Sequence, residues 1–188
     1  MVENAKSARA FLGALGMPVR ELLIEEIGDN RLTGEDIGLL SEAGCPAIAD
    51  PGAKLIEAAH AAGYKVVPLV GPSSIVMALM ASGLEGQRFA FCGYLPREAA
   101  DRKKRIRELE ARSRRESETE IFIETPYRND AMLAALLETC APGTRLCVAA
   151  DLTLPTESIR TRTIGGWKKA PAQIGKRPAV FLLLAQGR

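Results

Sequence analysis

At 188 residues, with 47% apolar and 26% charged residues, the chain is long enough for one large domain or two small ones and has an ordinary globular composition. Lys and Arg number 25 against 23 Asp and Glu, so bulk charge announces neither a nucleic-acid nor a membrane partner, and any such partner must be sought in a local cluster. No apolar run approaches the ~20 residues that span a bilayer, and Met1 is followed by a polar segment instead of a leader, so a cytoplasmic protein with no membrane partner is expected. Cys45, Cys92, Cys140 and Cys147 have no CxxC spacing, and His60 is the single histidine, which makes a metal site unexpected. The cysteines read as small buried apolar residues, with Cys45 set apart by its place in a loop motif.

Asn4 is a candidate cap for a helix whose apolar positions Ala8, Phe11, Leu12 and Leu15 recur at helical spacing and which Gly16 and Pro18 end. A strand is predicted over Leu22 to Ile27. The polar GDNRLTG passage then leads to a second apolar run, Ile37 to Leu40, which stops at the loop SEAGCPAIADPG, Ser41 to Gly52. Asp50 followed by Pro51 predicts a capped helix with Leu55, Ile56, Ala59 and Ala62 on one face and Gly63 at its end, and Tyr64 to Val70 predicts the next strand of a βαβ unit. Gly71 to Ser74 repeats the pattern, strand into small and hydroxyl residues and then the helical run Ile75 to Met80.

Phe89 to Cys92 is the first predicted strand of a second half, followed by a charged helix from about Arg97 to Arg114, a strand Ile121 to Glu124, a turn Thr125 to Arg128 and a helix Asn129 to Thr139. Strands at Arg145 to Ala150, Ile159 to Ile164 and Ala179 to Ala185 complete the chain, with little helix between them, which predicts a mixed sheet. Arg112 to Glu118 is the one stretch whose polar composition suggests disorder. Two α/β domains are expected, residues 1–70 and 71–188, meeting near Gly71 to Gly93.

In α/β sheets, ligands lie beyond the carboxyl ends of strands, where loops offer free N–H groups and helix N-termini. Ser41 to Gly52 holds two glycines and two prolines, a composition that lets backbone approach a ligand closely and holds it rigid, and that equally suits a tight structural turn. Glu124 with Arg128, and the DLTLPTE segment ending in Glu157, place carboxylates and an arginine at two further strand ends. These are the parts of a general base or substrate clamp, or of an ion pair that only fixes the loops.

The ordered blocks SEAGCPAIADPG, VVPLVGPSS, GYLPRE, FIETPYR and DLTLPTE, spanning Ile37 to about Glu157, resemble the tetrapyrrole-methylase superfamily, and within it the branch of ribosomal RNA small subunit methyltransferases. Cys45 stands where that branch has threonine, and Tyr127 where it has histidine. The resemblance implies two α/β domains with a cofactor cleft between them, S-adenosylmethionine as cofactor, and a homodimer. It also implies that Ala43, Gly44, Cys45 and Pro46 line the cofactor through backbone, that Pro72, Ser73 and Ser74 contact it, and that Pro178, Ala179 and Val180 flank its adenine. Glu124, Arg128 and Glu157 fall in the blocks on the substrate side, Arg128 as a clamp for phosphate or carboxylate and a carboxylate as proton acceptor.

Members of the family begin with a strand and a glycine-containing loop that form the first wall of the cofactor site, and the present sequence starts at VENAKSARAFL, after that point. Ile27 to Ile37 is also too short for a helical crossover, so an incomplete first sheet is expected. Between Arg97 and Arg115 nine Lys or Arg face four acids, a patch suited to the phosphates of ribosomal RNA, or alternatively a solvated helix laced by pairs such as Asp101 with Arg105. Three readings follow. A ribosomal RNA 2′-O-methyltransferase predicts salt-sensitive transfer to RNA, a methylase of a tetrapyrrole or other small molecule predicts transfer indifferent to RNA, and a non-catalytic member predicts binding without turnover.

Overall fold

The computed structural model describes residues 1–28, 36–170 and 172–185. The chain divides into two units, Met1–Ser73 and Ser74–Arg188. In the first, Asn4 acts as the predicted cap: its side chain accepts from the Lys6 and Ser7 N–H groups and starts helix α1, Ala5–Ala14. The apolar stripe of α1 is largely unburied, with Phe11 53% and Leu15 64% exposed and Ala8 alone buried.

The strands predicted in this unit do not form as ladders. Val2 makes isolated parallel bridges to Glu26 and to Leu40, so the Leu22 to Ile27 and Ile37 to Leu40 segments are each held at a single point, by Val2 N–H to Glu25 O, Ile27 N–H to Val2 O and Leu40 N–H to Met1 O. Tyr64 to Val70 is extended but pairs with no strand among the described residues, and Leu69 and Val70 are fully solvent-facing at 87% and 108%. Apolar alternation favours a strand only when a neighbour supplies the ladder, and one bridging residue supplies two bonds and no more. Residues 29–35, which include all of the GDNRLTG passage but its first glycine, lie outside the described residues. Helix α2 spans Ala53–Ala61, and its cap is Gly52, not Asp50 as the sequence suggests, because the Asp50 carboxylate is taken by the Ser41 hydroxyl.

The second unit follows its predicted elements closely: α3 Ser74–Ser82, β1 Phe89–Tyr94, α4 Ala99–Glu116, β2 Thr119–Glu124, a 3-10 turn Pro126–Arg128, α5 Asn129–Thr139, β3 Arg145–Ala150, β4 Ser158–Thr163, α6 Ile164–Lys169 and β5 Ala179–Leu184. Helix α6 is the addition, and the Thr163 side chain caps it by accepting from Gly166 N–H. The five strands form one mixed sheet in the order β1-β2-β5-β3-β4, with β1 and β2 parallel and the other pairs antiparallel.

One face of this sheet packs Phe122, Phe181, Leu146 and Val148 against Ile106 and Leu109 of α4, Met132 and Leu136 of α5 and Trp167 of α6. The other packs Ile121, Cys147, Val180 and Leu182 against Ile75, Ala78 and Leu79 of α3. Phe122 and Phe181, opposite each other in the β2–β5 register, stack at 5.7 Å, and each fully buried side chain of this size contributes about 1.5–3 kcal/mol. No helix among the described residues is long and apolar enough to cross a membrane.

The expectation of disorder at Arg112 to Glu118 is overturned. Helix α4 runs to Glu116, Arg112 binds the fully buried Glu120 through Nε at 2.6 Å to Oε1, and the buried Ser113 hydroxyl donates to Glu118 O at 2.6 Å. Polar composition here reflects a buried charge network instead of solvation.

Candidate functional site

Within the first unit, the Ser41 to Gly52 loop is pinned by side chains on both sides. Glu3 Oε1 accepts from Glu42 N–H at 2.9 Å, and the Ser41 hydroxyl, which donates to Asp50, lies 3.2 Å from Glu3 Oε1 and 2.8 Å from Ala43 O. Ala47 and Ala49 take positive φ of 64° and 61°, conformations that cost a residue with a Cβ about 1–2 kcal/mol. Gly52, at φ 130°, leaves room where a Cβ would come 2.8 Å from Leu39 Cδ2. The Cys45 thiol lies 3.6 Å from Pro72 O and 3.7 Å from Gly71 O. The structure therefore brings together two of the blocks assigned to the cofactor, Ala43 to Pro46 and Pro72 to Ser73, through the residue that replaces the family threonine. Ala43 and Gly44 are exposed, and Cys45 and Pro46 half-buried, which leaves their backbone accessible.

Within the second unit, the carboxyl ends of β1, β2 and β3 and the amino ends of β4 and β5 share one edge of the sheet. Glu124 ends β2 there, 5% exposed, and its Oε1 accepts from Thr125 N–H at 2.6 Å and from Arg128 Nη2. The 3-10 turn, begun by Pro126, brings Arg128 back over the carboxylate, and Arg128 Nε donates to Thr125 Oγ1 at 3.2 Å. Glu124 Oε2 and Arg128 Nη1 are both buried and have no hydrogen-bond partner. A buried acceptor and a buried donor without partners cost about 1–3 kcal/mol each unless a ligand engages them.

Glu157 does not join this pair. It is exposed, and its Oε2 accepts from Thr153 N–H at 2.8 Å, closing its own loop. Ser74 is the first residue of α3 and is exposed. Pro178 is exposed, whereas Ala179 and Val180 are buried in the middle of the sheet, Ala179 between Glu124 and Ala150 and Val180 between Ile123 and Ala149.

Sequence reasoning passed over Asn129, and placed Asp151 with Glu157 at a strand end without giving it a partner. Asp151, 6% exposed with a left-handed φ of 54°, accepts from Thr156 Oγ1 at 2.9 Å and lies 3.9 Å from Arg177 Nη1. Asn129 donates to Gly175 O and Arg177 O, and Asp130 accepts from Ile174 N–H, so α5 fixes the segment that leads into β5. Asp at the head of DLTLPTE and the Asn-Asp pair after Arg128 are the visible signals for these residues, although nothing local in the sequence says that they meet.

Cys140 and Cys147 are buried, and Cys45 and Cys92 are partly buried. Burial, ahead of the neighbouring Glu120, pushes the Cys92 thiol up to about 11, and burial pushes Cys140 up to about 12. Cys147 is raised by burial as well.

The profile of the tetrapyrrole (corrin/porphyrin) methylases matches residues 6–166. The ribosomal RNA small subunit methyltransferase I of Neisseria meningitidis serogroup B is 33% identical over 172 residues, covering 87% of this chain and 57% of that protein. Its namesake from Pseudomonas aeruginosa is 39% identical over 128 residues, covering 68% of this chain and 44% of that protein. The chain thus spans about half the length of the curated relatives it matches. The crystal structure of the methyltransferase CobJ shares the fold, with a TM-score of 0.52 at 21% identity, covering 78% of this chain and 64% of that one. With a family profile spanning most of its length and a mixed sheet of the same fold beneath it, the chain belongs to the tetrapyrrole methylase family.

Proposed function

We propose that the chain is part of an S-adenosylmethionine-dependent methyltransferase acting on the 2′-hydroxyl of a ribosomal RNA nucleotide. The observation that carries this reading is the Glu124–Arg128 pair, whose inner atoms, one acceptor and one donor, are both buried and open. A hydroxyl is the simple group that engages both, donating to Glu124 Oε2 while accepting from Arg128 Nη1. The names of the relatives support RNA as the substrate.

The residues fit a cofactor of this kind, because the strained, pinned loop exposes Ala43 and Gly44, and the Cys45 thiol lies against the Gly71 and Pro72 carbonyls. S-adenosylmethionine supplies an electrophilic methyl group on a sulfonium, so that what remains for the protein is alignment, exclusion of water and removal of a proton. Glu124 Oε2 would be the acceptor for the proton of a substrate hydroxyl. Arg128 holds the carboxylate through Oε1 and orients the oxygen through Nη1. Exposed Lys104 and Arg107 of α4, which have no ion pair among the described residues, are its contribution to RNA phosphates. Most of the rest of that basic segment is neutralised, Lys103 by Glu138, Arg105 by Glu108 instead of Asp101, and Arg112, Arg114 and Arg115 by their own partners. A homodimer, as the family pattern implies, is the assembly proposed.

The test is incubation with tritiated S-adenosylmethionine and undermethylated small ribosomal subunits, followed by alkaline hydrolysis, which a 2′-O-methyl group blocks at the adjoining phosphodiester. Label in an alkali-resistant dinucleotide is expected, with Glu124→Gln slower by about 100-fold or more. Label in alkali-sensitive mononucleotides, or none in RNA, contradicts the reading.

A further inference from the structure

We infer that a cavity on the α6 face of the second unit is a subsite for one phosphate-bearing nucleotide of a single RNA strand. The cavity has a volume of about 350 Å³, within the range of small-ligand sites. Its lining is mostly polar, with the buried Val148, Ala150, Trp167 and Ile174 beneath it. Its rim carries the Thr156 and Ser158 hydroxyls, the Gln173 amide and two guanidinium groups, Arg160 and Arg177.

The electrostatics of the rim favour an anion. Arg160 stands on β4, the edge strand of the sheet, and has no ion pair or hydrogen bond among the described residues. Its neighbour on the same face, Arg162, is by contrast occupied, lying over the Trp167 ring at 5.3 Å and donating to Ala170 O at 3.2 Å. Arg177 is positioned by donation from Nε to Ile174 O at 2.8 Å, and its Nη1 reaches Asp151 only at 3.9 Å, which leaves donors to spare. Glu157, the one carboxylate on the rim, is already held by Thr153 N–H. The hydroxyls and amide of the rim suit the edges of a nucleotide, and its phosphate has two arginines, one of them without an ion pair or hydrogen bond among the described residues.

The location agrees with this role. Glu157, Thr156 and Arg177 belong to the same edge of the sheet as Glu124 and Asp151, so a strand seated in the cavity runs along the edge that bears the open carboxylate. With most of the basic residues of α4 neutralised by acids, Arg160 is a better phosphate ligand than the conspicuous charge run. The inference rests on RNA being the substrate, and it names the residues that hold the strand.

The experiment measures binding of a fluorescein-labelled single-stranded oligoribonucleotide of mixed sequence across a series of salt concentrations, for the wild type, Arg160→Ala and Arg160→Lys. Arg160 is exposed and has no ion pair or hydrogen bond among the described residues, so its removal is expected to leave the melting temperature unchanged. Arg160→Ala is expected to weaken binding by about tenfold and to reduce the salt slope by about one, and Arg160→Lys to restore the slope. Adenosine monophosphate is expected to compete, and to compete less well against Arg160→Ala. Equal affinity and equal slope in wild type and Arg160→Ala overturn the inference. If Arg160 governs oligonucleotide binding while methyl transfer to ribosomal subunits is absent, the subsite stands and the proposed reaction falls. If transfer proceeds and Arg160 is immaterial to binding, the subsite alone falls.

Discussion

The two units differ in how they hold their shape. In the second, nearly every strand residue of β2, β3 and β5 is buried, and helices cover both faces of the sheet. In the first, Val2 and Ala8 are the only buried hydrophobic residues among those described, and the backbone is fixed instead by carboxylates and hydroxyls, Glu3, Asn4, Ser7, Ser41, Glu42 and Asp50. One unit is stabilised by area removed from water, the other by polar pins on a strained loop. Ligand loops come from the low-stability end of a fold, because a loop that must fit a ligand cannot also be filled by its own core.

The comparison is broken most sharply in the core. Phe122→Ala removes half of a stacked, fully buried pair and is expected to cost the second unit about 3–5 kcal/mol, whereas Phe11→Ala in the first unit, half-exposed in the native state, costs under about 1 kcal/mol. Denaturant melts of the two variants measure the contrast. Next comes Arg112→Ala, which strands the fully buried Glu120 without its partner and is expected to cost about 3 kcal/mol, with Glu120→Gln in the same background recovering part of the loss.

A smaller effect is expected from Gly52→Ala, about 1–3 kcal/mol of local strain from a positive φ and contact with Leu39, read as faster amide exchange around Ser41 to Gly52 with the melting of the second unit unchanged. A pH effect that is absent at neutral pH and emerges only in alkali is expected in the second unit. Its thiols are raised above their ordinary value of 9.0, Cys92 to about 11 and Cys140 to about 12, so the folded state holds protons that the unfolded chain has released. Stability from these groups is intact below pH 9 and declines from about pH 9 to 12, and Cys140→Ala flattens the decline of the melting temperature across that window. Thiol labelling at neutral pH follows the same order, with the half-exposed Cys45 modified before the buried Cys140 and Cys147.

The second unit was readable from sequence because its signals are local and consistent. The apolar runs at Arg145 to Ala150 and Ala179 to Ala185 are those of strands buried on both faces, and α5 begins and ends where the turn after Arg128 and the Cys140 boundary put it. Helix α6 was missed because two of its six residues are glycine, and what fixes it is Trp167 Nε1 donating to Leu146 O at 2.9 Å, a contact 21 residues away in the chain. In the first unit the same signals misled: Tyr64 to Val70 has strand composition, but composition does not supply a neighbour. At the sheet edge, Glu124, Arg128 and Asp151 were found as charged residues at strand ends, whereas the partners of Asp151 and the role of Asn129 come only from the fold, which brings Arg177 to them from the far end of the unit.

The central claim is that the polar-pinned loops of the first unit hold S-adenosylmethionine. Isothermal titration of the cofactor into the wild type and Gly52→Ala tests it most directly. One binding event per chain in the wild type, weakened in Gly52→Ala while the second unit melts as before, is the predicted result; no heat of binding in the wild type, or equal affinity in the two proteins, would contradict it.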